Sequence, residues 1–243
     1  MKIALIGYGK MGQTIERIAK ERGHEIVLVV DEYNRGECTD EQLRGAGVAI
    51  EFAIPAAAVD NYRWCFRNGV PVVSGTTGWL ERWDEVTRAC EQLDGGFFYA
   101  SNFSVGVNLF FHLNRWLARA MSRVDGYNAS IEEVHHVHKL DAPSGTAITL
   151  ARGVMENNPR YSSWKLTKEE ALVATNELPI VARREGEVPG LHAVSYVSDI
   201  DEIRICHSSN SRDGFALGAV LAAEFMLGKR GIFGMDDLIT IGK

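Results

Sequence analysis

Ile3-Ala4-Leu5-Ile6-Gly7-Tyr8-Gly9-Lys10-Met11-Gly12 opens the chain with a short apolar run followed by glycines in the spacing GxGxxG. A strand that enters a helix through such glycines has a mechanical logic. Gly7 makes the tight turn, Gly9 lets backbone approach a pyrophosphate, and Gly12 lets helix and strand pack closely, so that the phosphate meets the helix N-terminus. The spacing alone is a weak signal in a chain with 24 glycines among 243 residues, because an ordinary glycine-rich turn looks the same. Asp31 strengthens it. It ends the second predicted strand, Glu25–Val30, about twenty residues past the glycines, where a carboxylate accepts hydrogen bonds from an adenosine ribose. Glu32 adds a second negative charge where a 2'-phosphate would sit, which leans the cofactor toward NADH within the NAD(P)H class, although Lys10 and Arg35 partly offset that charge.

Outward from this motif, apolar runs alternate with helix-like stretches as far as Ala100: Ile3–Ile6, Met11–Arg22, Glu25–Val30, Val48–Ile54, Ala56–Asn68, Val70–Ser74, Leu80–Leu93 and Gly96–Ala100. Such βαβ alternation implies an α/β domain with a parallel, doubly wound, Rossmann-like sheet. The strands are short and rich in Ile and Val with no polar alternation, as expected when helices cover both faces. Asp31 to Gly45 is polar and acidic and reads as a loop or a short irregular helix. Ligands bind at the carboxyl ends of strands in such sheets. The turns Gly75-Thr76-Thr77-Gly78 and Ala100-Ser101-Asn102-Phe103 are therefore candidates for lining a nicotinamide ribose, or else plain connecting loops.

Beyond Asn102 the rhythm changes. A helix is expected over Val107–Met121, a strand over Asn128–His138, a helix over Ser144–Glu156, and strands near Pro179–Arg183, His192–Ser198 and Glu202–His207. Strands without intervening helices imply a second, α+β domain with a mixed or antiparallel sheet. Phe215–Leu227 reads as a buried helix that returns to the first domain. The expected division is residues 1–102 for the dinucleotide, 103–214 for the substrate, and 215–243 packing back on the N-terminal half.

Composition narrows the class. With 46% hydrophobic residues, 24% charged residues and a formal charge of -6, the chain is an ordinary globular protein, and its acidity argues against bulk nucleic-acid binding. Cys38, Cys65, Cys90 and Cys206 are scattered without a CxxC pair, so they read as reduced thiols of a cytoplasmic protein. Neither the opening apolar run nor Phe215–Leu227 is long enough to span a bilayer, so no membrane role is expected.

A second motif carries chemistry. Glu132-Glu133-Val134-His135-His136-Val137-His138-Lys139-Leu140-Asp141-Ala142-Pro143-Ser144-Gly145-Thr146-Ala147 concentrates imidazoles, an ammonium and carboxylates ahead of a helix start. In a strict strand His136 and His138 share one face and His135, Val137 and Lys139 the other, so the chain must bend to gather the cluster. Ser144 is a candidate N-cap, and the amides behind it form an anion pocket beside Lys139. Zinc is the competing reading of three close histidines, but catalytic zinc takes ligands from separated elements together with a carboxylate, and no metal is expected.

The string His135-His136-Val137-His138-Lys139, followed by Asp141-Ala142-Pro143-Ser144-Gly145-Thr146-Ala147, closely resembles the signature of the dihydrodipicolinate reductase family. The resemblance extends to the opening GxGxxG, Ser74–Gly78, Ser101–Asn108, Arg184-Glu185-Gly186, Pro189–His192, and Ser211-Arg212 with Phe215-Ala216. It implies a homotetrameric reductase of lysine and diaminopimelate biosynthesis, with residues 103–214 also serving oligomerisation. Its hydride would go from a nicotinamide cofactor to a cyclic imine dicarboxylate, 4-hydroxy-tetrahydrodipicolinate, with loss of water. By the same resemblance His135 is the acid and Lys139 assists it, while His136, Gly145 and Thr146 hold substrate carboxylates. Gly7, Tyr8, Gly9, Lys10, Met11, Gly12, Asp31, Gly75, Thr76, Thr77, Ala100, Ser101, Asn102 and Phe103 would hold the cofactor, with Arg212 and Phe215 as further contacts. Lys10 stands where many relatives carry Arg, and Glu32 where NADP-using relatives often place Arg. The alternatives are another imine or amino-acid dehydrogenase on the same scaffold, which the His-Lys segment argues against, and a non-catalytic NAD-binding redox sensor.

Overall fold

The structure is a computed structural model in which residues 1–168, 173–211 and 213–239 are described. In chain order its elements are β1 (Lys2–Ile6), α1 (Lys10–Glu21), β2 (Glu25–Val30), α2 (Asp40–Arg44), β3 (Val48–Glu51), α3 (Pro55–Arg67), β4 (Val72–Ser74), α4 (Trp83–Gln92), β5 (Gly96–Tyr99) and α5 (Val105–Met121). There follow β6 (Asn128–His135), α6 (Gly145–Asn157), β7 (Ser163–Thr167), β8 (Glu177–Arg184), β9 (Leu191–Val197), β10 (Glu202–Ser208), α7 (Asp213–Met226), β11 (Gly231–Phe233) and α8 (Met235–Leu238). The chain divides into two units, Met1–Val105 with Asp213–Lys243, and Gly106–Arg212.

In the first unit six strands run β11-β5-β4-β3-β1-β2, every neighbouring pair parallel. β1 shows why its sequence does not alternate with polar residues. Ala4 and Ile6 pack on one side with Ala58, Val59, Tyr62 and Phe66 of α3, while Ile3 and Leu5 pack on the other with Ile15 and Ile18 of α1 and Ala219 and Ala223 of α7. Both faces are covered, and continuous apolar strands follow. Helix α7 lies along α1, tied by a two-pronged Arg22–Glu224 pair at 2.9 Å and by His24 Nε2, 2.7 Å from the same carboxylate. A Cβ on Gly218 would run into the Phe103 carbonyl, so this helix approaches the chain as closely as backbone allows. After α7 the chain adds β11 beside β5 and the short α8, neither of which its sequence announces.

In the second unit the order is β10-β9-β6-β8-β7, antiparallel from β10 to β6 and parallel from β6 to β7. Its core joins Ala129 and Ile131 of β6, Leu178 and Ile180 of β8, and Val194 and Tyr196 of β9 to Phe110 and Leu117 of α5 and Leu150 and Val154 of α6. β7, Ser-Trp-Lys-Leu-Thr, is mostly exposed at the sheet edge and has no apolar run to betray it. Among the described residues no helix is long and apolar enough to cross a membrane.

One expectation is corrected. β6 stops at His135 instead of continuing to His138. The Lys139 amide donates to the His136 carbonyl at 3.1 Å, and the Val137 amide to Gly186 at 3.1 Å, so the extended pairing gives way to a turn. Arg184 holds that turn by donating to the carbonyls of Lys139 (3.2 Å) and Asp141 (2.6 Å). The period-two assignment of faces therefore ends at His135.

Candidate active site

The glycine motif behaves as its spacing predicts in mechanical terms. Gly7 has φ +95, and a side chain there would strike the Phe52 carbonyl, while a Cβ on Gly12 would strike the carbonyl of Gly7. Gly9, by contrast, faces open space. Gly9 is the N-cap of α1, with no side-chain cap and no acidic residue in the first turn. An uncapped helix start over an open glycine is a cradle for phosphate: the first amides have no intrahelical acceptor, and the helix dipole favours negative charge. Lys10 is exposed at that end, while Tyr8 and Met11 pack against the core below. The Tyr8 hydroxyl donates to Glu16.

Asp31 follows the carboxyl end of β2. Its Oδ1 accepts from the amides of Tyr33 (2.8 Å) and Asn34 (3.0 Å), which fixes the carboxylate in a tight turn. Arg35 lies with its guanidinium carbon 3.9 Å from the centre of the Trp64 ring, stacked on an aromatic face.

Thr76 is buried: its Oγ1 accepts from the Ala53 amide at 2.9 Å and its carbonyl from the Trp79 indole at 2.7 Å. Gly75 is half-buried and Thr77 is exposed. In the other turn Ala100 and Phe103 are buried, the Phe103 ring 5.5 Å from Phe52 and 5.9 Å from Phe98, whereas Ser101 is exposed and Asn102 accepts from the Ser104 amide at 2.9 Å. Thr76 and Phe103 thus spend their side chains on the fold and leave backbone for a ligand. Phe215 is half-buried in the first turn of α7; Arg212 lies outside the described residues.

In the second unit, strand pairing concentrates polar groups at one end of a buried face. Ala129, Ile131, Glu133 and His135 alternate inward along β6. Glu133 pairs with His192 of β9, His192 with His207 of β10, and His135 with Arg184 of β8. Glu133 is fully buried; its Oε1 accepts from Arg184 Nη2 (3.2 Å) and from the Ser144 amide (3.1 Å). Its Oε2 lies 3.2 Å from His135 Nδ1 and 3.7 Å from His192 Nε2. Ser144 caps α6 through the Ala147 amide at 3.2 Å, and its hydroxyl meets His192 Nε2 at 3.0 Å. Gly145 and Thr146 supply the first amides of that helix, positions that lack an intrahelical acceptor.

Burial lowers the pKa of His135, opposed by Glu133 and reinforced by Lys139, Arg184 and His136. Burial and the neighbouring imidazoles push His192 down to about 3, and burial also lowers His207. Lys139 Nζ sits on both oxygens of Asp141, holding that carboxyl below its ordinary range. His136 is half-buried, its ring 6.0 Å from that of His138, and exposed His138 meets Glu187 at 3.2 Å.

Glu133, His135 and His192 bring potential ligand atoms within 4.8 Å of one another, the arrangement a metal ion would need. Arg184 already matches the charge of Glu133, and a divalent ion would face that guanidinium at short range. The charge distribution suits an anion. Glu133, Arg184 and His192 lie in stretches already quoted from the sequence, which give none of them a role. A carboxylate two positions before His135, on the face shared with Ala129 and Ile131, is the signal that finds the first.

Residues 1–103 match the family described as dihydrodipicolinate reductase, N-terminus, and residues 106–239 match dihydrodipicolinate reductase, C-terminus. A 4-hydroxy-tetrahydrodipicolinate reductase from Christiangramia forsetii is 49% identical over 99% of this chain and 98% of its own length. One from Methanopyrus kandleri is 37% identical over 82% of this chain and 74% of its own. Among solved structures, a dipicolinate-bound dihydrodipicolinate reductase from Paenisporosarcina sp. TG-14 shares the fold at TM-score 0.78 and 22% identity, over 98% of this chain and 99% of that one. An amine dehydrogenase from Mycobacterium smegmatis shares it at TM-score 0.59 and 10% identity, over 97% and 95%. A nucleotide-binding scaffold hosts many chemistries, so a shared fold at 10% identity does not by itself identify the reaction. With both halves matched and a near-full-length relative at 49% identity, the chain belongs to the dihydrodipicolinate reductase family.

Proposed function

We infer that the chain reduces 4-hydroxy-tetrahydrodipicolinate to tetrahydrodipicolinate, with loss of water, in lysine and diaminopimelate biosynthesis. The observation that carries this reading is the near-full-length identity to the Christiangramia forsetii reductase. The anion-suited end of β6 supports it chemically. A dianionic substrate asks for cations and amide donors, and Lys139, His136 and the Gly145 and Thr146 amides are of the kind it needs.

A nicotinamide dinucleotide held by Gly7 to Gly12, Asp31, Gly75 to Thr77 and Ala100 to Phe103 would supply hydride. The uncapped start of α1 over Gly9 fits its phosphates. Asp31 and Glu32 favour NADH, because a 2'-phosphate would meet two carboxylates while Arg35 is stacked on Trp64. His135 carries the proton for the ring carbon where electron density builds, and Lys139 fixes a carboxylate and assists the transfer. The arriving dianion raises the proton affinity of an imidazole that burial has lowered, so substrate and acid load together. The working protein on this reading is a cytoplasmic homotetramer, which light scattering tests.

The deciding experiment follows the absorbance of NADH, and separately NADPH, when purified protein meets substrate generated freshly by the preceding synthase. Oxidation is expected with a faster rate for NADH. A folded protein that binds nucleotide and oxidises neither would overturn the reading, and a faster rate with NADPH would overturn the cofactor preference alone.

A further inference from the structure

We propose that Glu133 is a positioning residue: from the buried face of β6 it orients His135 and fixes which ring nitrogen carries the exchangeable proton. This rests on the reading of His135 as the acid.

The geometry is specific. Glu133 Oε2 and His135 Nδ1 are buried, neither has a hydrogen-bond partner, and they stand 3.2 Å apart. Of the two imidazole nitrogens beside this oxygen, His135 Nδ1 is the nearer, against 3.7 Å for His192 Nε2, which already meets the Ser144 hydroxyl. The second carboxylate oxygen is fixed from two directions, by Arg184 Nη2 and by the Ser144 amide, so the carboxylate cannot turn away without abandoning both. As a carboxylate it can only accept, so the imidazole satisfies it by placing its proton on Nδ1. A small ring rotation completes that bond. Nε2 is then the nitrogen that takes up and releases a proton. It faces Gly190, where even a Cβ would stand 3.2 Å away, so that side of the ring is kept clear of side chain.

Other charged groups confirm the need for such a device. Lys139 and His136 follow His135 on its own segment, Arg184 faces it from β8, and His192 from β9 at a ring distance of 5.0 Å. Of these, Lys139, Arg184 and His136 disfavour a positive imidazole at His135. Glu133 favours it, and it is also the group that ties the acid to the N-cap of α6. The same carboxylate thus relates the proton donor to the amides of Gly145 and Thr146.

The experiment is a mutational cycle with pH profiles on the full-length enzyme. Glu133→Gln keeps the shape and removes the charge. It should lower kcat about 10- to 100-fold, as partners that orient catalytic imidazoles do, with nucleotide affinity unchanged. An acid must be protonated to act, so kcat/KM falls as pH rises through its pKa, and without Glu133 this fall should move to lower pH. In a His135→Ala background Glu133→Gln should cost less than about 3-fold more, because the two act as a unit.

An unchanged kcat and pH profile in Glu133→Gln, or a full additional loss in the His135→Ala background, would overturn the positioning role. Wild-type turnover by His135→Ala would overturn the acid assignment itself, a distinct result. If Glu133→Gln fails to fold, ring nitrogen-15 shifts of His135 in the unaltered protein decide the matter: neutral imidazole protonated on Nδ1 supports the proposal, and protonation on Nε2 overturns it.

Discussion

Lys139 Nζ is held by both carboxylate oxygens of Asp141, at 2.8 and 2.9 Å, so the cation proposed to greet the substrate already has a carboxylate partner in the free protein. On the proposed reading a substrate carboxylate takes the place of Asp141 on that ammonium. Lys139→Ala should reduce kcat/KM for the dicarboxylate by about 100-fold or more while nucleotide affinity holds, the loss expected when a charged donor leaves an anion site. Normal kinetics in this variant would remove Lys139 from the site. Asp141 is 61% exposed, so Asp141→Asn should change unfolding free energy by less than about 0.5 kcal/mol.

Substrate binding should draw protons from solution. The His135 pKa is lowered, first by burial, and a dianion arriving beside it moves it upward. Calorimetric titration of substrate or a dicarboxylate analogue near neutral pH, repeated in buffers of different ionisation enthalpy, should show uptake of a fraction of a proton approaching about one. His135→Ala should abolish most of it. Equal uptake in the variant would place the titrating group elsewhere.

Asp31 combines a structural and an electrostatic task, and the two are separable. Its Oδ1 holds the turn through the amides of Tyr33 and Asn34, a bond an asparagine oxygen preserves. Asp31→Asn therefore removes charge and keeps the loop. The ratio of kcat/KM for NADPH over NADH should rise about 10-fold, or roughly 1.4 kcal/mol, well within what a like charge at ~4 to 6 Å costs near a protein surface. An unmoved ratio would mean that the 2'-hydroxyl region of the cofactor lies away from Asp31.

The first sheet was legible because short, unbroken Ile and Val runs have one good explanation, burial between helices, and Ile3 to Ile6 meet it. The end of β6 was not. Alternation carried the expected strand to His138, whereas the turn that stops it at His135 is made by Arg184, forty-odd residues later in the chain and adjacent only through strand pairing. β7 and β11 escaped for a related reason: each is an edge strand of few residues whose pairing, and not its composition, makes it a strand. In the site, the histidines and lysine could be seen as a cluster, whereas of the two adjacent carboxylates Glu133 alone shares the inward face of Ala129 and Ile131, a signal that clustering by itself does not use. Their partners separate them: Glu132 meets Arg183 and Arg204 and is partly exposed, while Glu133 is sealed with Arg184, Ser144 and His135.

His192 sets the acid limit of the second unit. Its folded pKa, pushed down to about 3, lies below the ordinary imidazole value of about 6.5, so between those values the unfolded chain binds a proton that the folded chain refuses. Stability is therefore fully present above about pH 6.5 and falls as pH drops, by up to about 1.4 kcal/mol per pH unit for this one group. His135 and His207 act in the same direction, since their pKa values are also lowered. Carboxylates with lowered pKa, such as Asp141, contribute mainly nearer their own lower range, and Glu51, whose pKa burial raises, belongs to the first unit, so from about pH 4.5 to 6.5 the imidazoles dominate the pH dependence of the second unit. Hydrogen exchange of the β9 amides reports on the unit that carries His192. His192→Asn should lower their protection at every pH through loss of the Ser144 contact, and should flatten its pH dependence in that window by close to one proton. The slope is the informative quantity, because the intercept mixes in packing. A variant that kept the wild-type slope would show that His192 is protonated in the folded chain and that burial does not keep the imidazole beside His135 neutral.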